Sequence, residues 1–302
     1  MKTRSLPVFI LTITAVSLAA ILAFAQEKPD GSAQAETKRY PLESVEGLRF
    51  HNVTAEPSVL QGKKGLRATI SEETLRRIER TQQPAQGLVW IEDLDFSNGV
   101  IEAEIAGALA PGAGGEARGF VGIAFRVQED LENYDAFYLR PTNGRADDQE
   151  RRNHSAQYIS LPKWPWSRLR KETPSKYEAY VDLVPGAWTK IKIEVRGEQA
   201  RLYVHDNEQP TLIVKDLKSG ANGHGGVALW LEPGTVAHFR NLTVPRVSGR
   251  RRHRPPQRQV RGRQQTVHHR RLPDPAGTGQ HDQRRGAGHR SLDVLDQFPN
   301  LL

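Results

Sequence analysis

The segment KIKIEV, residues 190–195, decides the fold class of this 302-residue chain. Apolar and charged side chains alternate in it with a period of two, which is the pattern of a β-strand with one buried face. The segment VIEAEI, residues 100–105, repeats that pattern. Further β-forming runs lie at residues 66–70, 87–91, 120–127, 136–140, 157–161, 177–183, 201–205, 227–231 and 236–244.

Turn-forming pairs separate these runs, among them Asn98-Gly99, Asn143-Gly144 and Pro233-Gly234. Only residues 72–80 have the pattern of a helix. About a dozen strands over roughly 200 residues predict an all-β fold, a two-sheet antiparallel sandwich of jelly-roll type. We place this sandwich at residues 40–245.

The first 25 residues read as a cleaved secretory signal peptide. Lys2 and Arg4 precede an apolar run at residues 6–24, and Ala23 and Ala25 supply a small-residue cleavage site. An uncleaved membrane anchor is the less favoured alternative. Cleavage predicts a periplasmic or extracellular protein with no membrane contact, and the polar residues 26–39 predict a linker. The chain has no cysteine, which excludes disulfides, thiolate metal sites and cysteine nucleophiles.

The charge of the chain is concentrated at its carboxyl end. Residues 246–302 hold 13 Arg, no Lys and 4 Asp, whereas the rest of the chain is nearly neutral. This segment has no strand or helix period, so we predict that it is disordered. A polyanion-binding tail and an out-of-frame gene end are both compatible with it, and the absence of lysine favours the second. The nearly neutral body gives no reason to expect that the folded domain binds nucleic acid.

Candidate binding residues are concentrated between residues 138 and 166. Aromatic rings, amides, carboxylates and guanidinium groups are the groups that recognise sugars, by stacking and by paired hydrogen bonds. If the apolar faces of two strands point inward, Tyr138, Arg140, His154 and Tyr158 share one outward surface. The candidate ligand-binding residues are Tyr138, Arg140, Asn143, Arg145, Arg151, Arg152, Tyr158, Trp164 and Trp166. The competing interpretation is that Arg-Asp ion pairs only hold a long loop in place.

Three residues of the same stretch are candidates for catalysis. Asp147 and Asp148 are adjacent, but neighbouring strand residues point apart, whereas glycoside hydrolysis needs two carboxyls that flank one bond. Loop solvation or Ca²⁺ ligation is therefore favoured for this pair, which makes Ca²⁺ the only cofactor considered. His154 is a candidate general base, although a structural histidine is favoured.

The segments GFVGIAFR, FYLRPTNGRADDQ, YEAYVDLVPGAWTKIKIEVRGEQARLYV and GGVALWLEPGTVAHFRNL carry a resemblance to a known family. The chain resembles secreted bacterial members of the concanavalin A-like lectin/glucanase superfamily, in particular laminin-G-like and 3-keto-disaccharide hydrolase-type domains. The resemblance implies a jelly roll with a concave carbohydrate-binding face. The glucanase motif E-x-D-x-x-E is absent from residues 92–95 and 102–104, so no catalytic residue is transferred.

These observations lead to three hypotheses. The first is a secreted carbohydrate-binding domain with its site at residues 138–166. The second is a glycoside hydrolase of 3-keto-glycoside or glucan type on the same fold, and the third is a non-catalytic structural or adhesion module. Whether the protein is an enzyme stays open at this stage.

Overall fold

The computed structural model describes residues 37–245. The predicted signal peptide, the predicted linker up to residue 36 and the predicted tail from residue 246 lie outside the described residues. Strand β1 (Thr37–Tyr40) begins three residues before the predicted start of the domain at residue 40. None of the helices in the described part is long and apolar enough to cross a membrane.

Two antiparallel sheets form the fold, as the alternating segments predict. One sheet has eight strands: β1 (Thr37–Tyr40), β3 (Val53–Leu60), β4 (Lys63–Ile70), β6 (Gly99–Leu109), β11 (Thr189–Arg196), β12 (Gln199–Val204), β13 (Leu212–Val214) and β15 (Thr235–Pro245). Its strand order is β13-β12-β11-β6-β15-β4-β3, and β1 pairs with β15. The two segments that decide the fold class therefore pair with each other, since Lys192 of β11 lies opposite Glu102 of β6.

The second sheet has seven strands: β2 (Leu48–His51), β5 (Gly87–Ile91), β7 (Val121–Val127), β8 (Tyr134–Leu139), β9 (Ala156–Leu161), β10 (Glu178–Ala179) and β14 (Gly226–Leu231). Its strand order is β10-β9-β8-β7-β14-β5-β2. Three helices complete the described part: α1 (Glu72–Thr81), α2 (Gln149–Asn153) and α3 (Trp166–Glu172), with a 3₁₀ turn at Pro141–Asn143.

The core lies between the two sheets. A Cβ on Gly87 of β5 would lie 2.3 Å from Val53 Cγ1 and 2.7 Å from Ile70 Cδ1, which both belong to the eight-stranded sheet. Likewise, a Cβ on Gly107 of β6 would lie 2.8 Å from Val121 Cγ1. A register shift in β7 lies beyond Phe125, so up to that residue the odd-numbered residues of β5 and β7 face the opposite sheet. Their even-numbered neighbours lie on the other face of the seven-stranded sheet, called here the outer face.

The predicted helix is present, and it has a sequence-encoded start. The Ser71 hydroxyl accepts a hydrogen bond from the Thr74 amide at 3.3 Å, and Glu72 and Glu73 lie in the first turn. Both features favour a helix amino terminus. At the other end Gln82 adopts a left-handed conformation and closes the helix.

Some elements differ from the prediction. Strands β1, β2, β3 and β13 and helices α2 and α3 were not predicted, and within the predicted run 177–183 only Glu178–Ala179 is a strand. Strand β3 is difficult to recognise because Pro57 interrupts its pattern, and proline is tolerated in a sheet mainly on an edge strand. Strand β3 is such an edge.

Candidate functional site

The middle of the outer face combines small residues with large aromatic rings. Ala124 pairs with Ala136 and Ala228, and Gly122 pairs with Tyr138 and Trp230, so small residues lie next to large rings. The Trp230 and Tyr138 rings stack with centroids 4.5 Å apart at an angle of 25°. The Trp230 Nε1–H also donates to the Tyr134 hydroxyl at 3.1 Å. The rings form a continuous, buried aromatic layer on the outer face.

A network of charged and polar groups lies beside this layer. The Arg140 guanidinium donates to the Tyr138 hydroxyl at 2.9 Å, to Gln157 Oε1 at 3.2 Å and to the His154 carbonyl at 2.8 Å. Gln157 lies opposite Tyr138 on β9, and Glu178 lies opposite Gln157 on β10. The antiparallel register thus places these side chains on one face, because directly opposite residues point to the same side of a sheet.

Glu178 is the anionic centre of the network. Its carboxylate lies 2.5 Å from Arg170 Nη2, 3.0 Å from His154 Nδ1 and 3.6 Å from Arg140 Nη1. Only 3% of its side chain is exposed. Burial by itself raises the pKa of Glu178, but the hydrogen bonds from His154 and Arg170 outweigh it and lower the pKa to about 2. Glu178 therefore stays charged over the physiological range.

Two half-buried aromatic rings border the network. The Phe120 ring centroid and the Trp166 ring centroid each lie 5.8 Å from Arg140 Cζ, and the Arg170 guanidinium lies 4.7 Å from the Trp166 centroid. Phe120 precedes β7 and Trp166 begins α3, so the two rings come from different parts of the chain. Rings with part of a face open to solvent, next to fixed hydrogen-bonding groups, suit a ligand that is apolar on one side and polar at its edge.

Glu232 adds an unusual carboxyl to the same face. It follows β14, two residues after Trp230, and it is half-buried. Burial raises the pKa of Glu232 to about 7, although Arg140 and a hydrogen bond from Gln86 act in the opposite direction. A carboxyl that is partly protonated at neutral pH can both donate and accept a hydrogen bond, and it can donate a proton.

We call this set of side chains the outer-face cluster. Its members are Phe120, Tyr138, Arg140, His154, Gln157, Trp166, Arg170, Glu178, Trp230 and Glu232. The structure brings together four of the sequence-predicted residues in it, namely Tyr138, Arg140, His154 and Trp166.

The register corrects one part of the predicted surface. Tyr158 pairs with Phe137, so it lies on the inner face and not beside Tyr138. Its hydroxyl donates to Asp135 Oδ1 at 2.7 Å, and its side chain is fully buried. Tyr138 is also buried, at 1% exposure, so it supports the outer face from beneath Arg140 and is not an exposed platform.

The predicted loop residues are mainly engaged in holding the loop. Arg145 is exposed and forms a two-bond pair with Asp182, at 2.7 Å and 2.8 Å. Arg152 donates to the Ala146 and Asp147 carbonyls, and Asn143 is buried in the 3₁₀ turn. These contacts agree with the alternative interpretation of the sequence, in which Arg-Asp ion pairs hold a long loop in place. Arg151, half-buried on α2, makes one long hydrogen bond, to Asn143 Oδ1 at 3.4 Å.

The candidate acids and the second tryptophan lie apart from the cluster network. Asp148 is the N-cap of α2 and accepts hydrogen bonds from the Glu150 and Arg151 amides at 2.8 Å and 3.3 Å. Asp147 is exposed next to it. The Trp164 ring has the Arg168 guanidinium 3.8 Å and the Lys218 ammonium 4.8 Å from its centroid, and neither cation belongs to the network around Glu178.

Residues 37–245 contain no group of three or more His, Asp or Glu side chains arranged to hold a metal ion. The Asp147 and Asp148 pair thus has no third protein carboxylate to form a Ca²⁺ site, which takes six to eight oxygen ligands. Ca²⁺ dependence stays a prediction without a recognisable set of protein ligands in this part of the chain.

Several members of the cluster were not predicted from the sequence. They are Phe120, Gln157, Arg170, Glu178, Trp230 and Glu232. Alternation offered a signal for two of them, since Trp230 and Glu232 are two residues apart and share a face of β14 and its extension. No comparable signal exists for Glu178, because its position depends on a two-residue strand.

Comparison with known proteins gives only distant likenesses. No protein-family model and no curated protein sequence matches the chain. Among solved structures, a carbohydrate-binding module of Bacillus subtilis, CBM66, has 13% identity and a TM-score of 0.44, covering 65% of this chain and 94% of its own. A protein of unknown function with a galectin-like fold, also from Bacillus subtilis, has 12% identity and a TM-score of 0.41, with coverages of 69% and 94%.

The exoplasmic/lumenal domain of VIP36, in a form bound to Ca²⁺ and Man3GlcNAc, has 7% identity and a TM-score of 0.41, with coverages of 70% and 89%. The likeness lies in the β-sandwich, and no site residue of this chain is assigned from it. The two-sheet sandwich itself agrees with the concanavalin A-like fold implied by the sequence resemblance.

Proposed function

We propose that this protein binds a carbohydrate on the outer face of its seven-stranded sheet, over the outer-face cluster. The observation that carries the proposal is the position of the Phe120 and Trp166 rings, which both contact the fixed Arg140 guanidinium. Sugar C–H groups stack on half-exposed rings, and sugar hydroxyls pair with charged groups that hydrogen bonds hold in place. The network around Glu178 provides that fixed support.

Preorganisation supports the proposal. Arg140, Gln157 and Glu178 are each at most 7% exposed, and each is held by more than one hydrogen bond or ion pair. Side chains fixed before binding lose little conformational entropy when a ligand arrives. Glu232 is half-buried, and a carboxyl with a pKa raised to about 7 suits a hydroxyl that donates or accepts.

The test is a glycan-binding screen of the purified full-length chain, followed by titration of the ligand it identifies. We expect Trp166→Ala to weaken binding about tenfold, the effect of losing one stacking contact. Trp188→Ala is the matched control, since Trp188 is also half-buried but lies beside His238 of the other sheet. Trp166→Phe keeps a ring and should restore most of the affinity.

Equal affinity of the Trp166→Ala variant and the unchanged protein would contradict the proposed site. Thermal unfolding of each variant separates a lost contact from a lost fold. A protein that binds no glycan, and whose unfolding temperature drops when Arg145 loses its partner Asp182, would be the structural module.

A glycoside hydrolase on the same face is the second candidate, and Glu232 is the observation that favours it. A carboxyl whose pKa is raised toward neutrality has the protonation state of a general acid, whereas Glu178 nearby stays ionised. Product release from a bound glycan, lost in Glu232→Gln while binding persists, would establish this activity. Binding without release in the unchanged protein would leave the carbohydrate-binding function alone.

We propose, finally, that the protein acts in the periplasm or outside the cell. The charged, apolar and small-residue pattern of residues 1–25 supports this. Mass spectrometry of the mature amino terminus tests it: a chain that starts at Gln26 supports export, and a retained Met1 in the cytoplasm would overturn it.

A further inference from the structure

Positive charge accumulates at one corner of the outer-face cluster. The Arg118 guanidinium has a pKa lowered by burial and, in spite of Glu116, by the nearby charges of Arg151 and Arg140. Like charges that interact in this way destabilise the empty state, unless each has an anionic partner. The corner consists of the loop that leads into β7, the 3₁₀ turn and helix α2.

The anionic partners of these cations are unevenly distributed. Glu178 pairs with Arg140 and Arg170, and Arg118 pairs with Glu116 at 3.3 Å. Glu116 is 90% exposed, so water screens that pair. In the described part of the chain, no carboxylate forms an ion pair with Arg151.

Arg151 is also poorly satisfied in its hydrogen bonds. Its Nε–H is buried without a partner, and its one side-chain hydrogen bond, to Asn143 Oδ1, is long at 3.4 Å. The Thr142 hydroxyl, in the neighbouring 3₁₀ turn, is likewise buried without a partner. A buried polar group without a partner costs free energy, and an anion or a water that binds there removes that cost.

Arg151 is connected to the cluster by a short chain of contacts. Asn143 accepts from Arg151 and donates to the His154 carbonyl at 3.4 Å, and the same carbonyl accepts from Arg140 at 2.8 Å. A ligand that extends from the Trp166 and Phe120 rings toward α2 therefore meets the Arg151 guanidinium. Within the described residues, its Nε–H has no hydrogen-bond partner and its Nη2 makes one long hydrogen bond.

We infer that the carbohydrate bound on this face is an acidic saccharide, with a carboxylate or sulfate group received by Arg151. This inference rests on the proposed function, because it names the chemical class of the ligand of the same site. Arginine suits the role, since its planar fork makes two parallel hydrogen bonds to a carboxylate or a sulfate. Arg118 adds charge at the same corner.

The experiment titrates the full-length chain with matched pairs of glycans. One arm compares an oligogalacturonate with its methyl ester, which removes the charge and keeps the sugar. The other arm compares a sulfated galactan oligosaccharide with its desulfated form. We expect one acidic form to bind about tenfold more tightly than its neutral counterpart. The arm that shows the difference identifies which acidic group the site receives.

The variants compare two arginines of the same loop region. We expect Arg151→Gln to abolish the preference for the acidic form, and Arg151→Lys to restore part of it, because lysine keeps the charge but not the fork. Arg145→Gln removes the same charge from an exposed arginine paired with Asp182, outside the cluster, and should leave the preference unchanged. All three variants keep the 13 arginines that follow Pro245, so nonspecific attraction of anions is constant.

Each other outcome overturns a defined part of the argument. If neutral glycans bind as tightly as acidic ones and Trp166→Ala weakens them, the proposed function stands and the acidic ligand is wrong. If Arg145→Gln and Arg151→Gln lower acidic binding equally, the preference is nonspecific and Arg151 has no special role. If no glycan of either kind binds, both proposals fail.

Discussion

Arg140 and Glu178 lie on either side of strand β9 and approach to 3.6 Å, with only 6% and 3% of their side chains exposed. A buried ion pair stabilises a protein only when its geometry and remaining hydrogen bonds are good, and removing one partner leaves a buried charge. Here Arg170 and His154 share the carboxylate of Glu178. The pair therefore connects β8, β10, α2 and α3 and determines the shape of the proposed site.

Glu178→Gln should lower the free energy of unfolding by about 3 kcal/mol at neutral pH, because it leaves Arg140 without its anion. The folded-state pKa of Glu178, about 2, lies below its ordinary value of 4.5. The stabilisation is thus fully present above pH 4.5 and is lost as pH falls toward 2. Denaturant unfolding from pH 2 to 7 should show the two proteins converging at low pH. A constant difference across that range would show that the charge of Glu178 is not responsible.

For Glu232→Gln, the effect on stability should depend on pH in the opposite direction to that of Glu178→Gln. The folded-state pKa of Glu232, about 7, lies above its ordinary value of 4.5, so the folded state holds the proton more tightly. Stability therefore falls as pH rises from 4.5 to 7, and the glutamine variant should lack that decline and be the more stable protein above pH 7. Thermal unfolding in this window measures the effect. Parallel curves for the two proteins would mean that Glu232 has an ordinary pKa.

Gly122→Ala should destabilise the fold by about 1–3 kcal/mol, the usual range for an overpacked site. A Cβ at this position would lie 2.3 Å from the Phe137 carbonyl oxygen and 2.6 Å from Tyr138 Cβ. Gly114→Ala is the control, since a Cβ there meets no atom within 4 Å. We expect the control to stay within about 0.5 kcal/mol of the unchanged protein. Equal stability of the two variants would show that the β7–β8 pair relaxes to accept the methyl group.

Asp148→Ala should cost about 1 kcal/mol of stability, because the carboxylate caps helix α2. Asp147→Ala should cost less than about 0.5 kcal/mol, since Asp147 is exposed and its side chain has no capping role. Chemical denaturation of the two variants compares them directly. If either variant instead abolishes release of a sugar product at unchanged stability, the aspartate has a catalytic role.

The fold class could be predicted from the sequence because a strand that is buried on both faces has a recognisable apolar pattern. Residues 120–127 form a nearly continuous apolar run, and all seven residues of β7 are buried between the opposite sheet and the outer aromatic layer. Strand β3 escaped prediction for the opposite reason. As an exposed edge interrupted by Pro57, it has little to bury and therefore no clear pattern.

The site could be predicted only in part, because the register of a strand depends on which residues of the neighbouring strand it pairs with. Tyr138 and Arg140 share a strand, so their common face follows from a period of two. The face of Tyr158 depends on which residue of β8 it pairs with, and a shift of one residue reverses every side chain of a strand. Glu178 joins the cluster through β10, whose two residues are too few to show any periodicity.

The outer margins of the two sheets have a consequence for the protein's behaviour in concentrated solution. Strands β10, β13 and β2, with two, three and four residues, form three of these margins, and the eight-residue β3 contains Pro57. An unpaired strand of full length can recruit a strand from another molecule and start aggregation. The short strands β2, β10 and β13 expose few free amide and carbonyl groups. Pro57 has no amide N–H, so the longer strand β3 has one hydrogen-bond donor fewer. Each of these four margins therefore offers little template for strand addition, which disfavours association through them at high protein concentration.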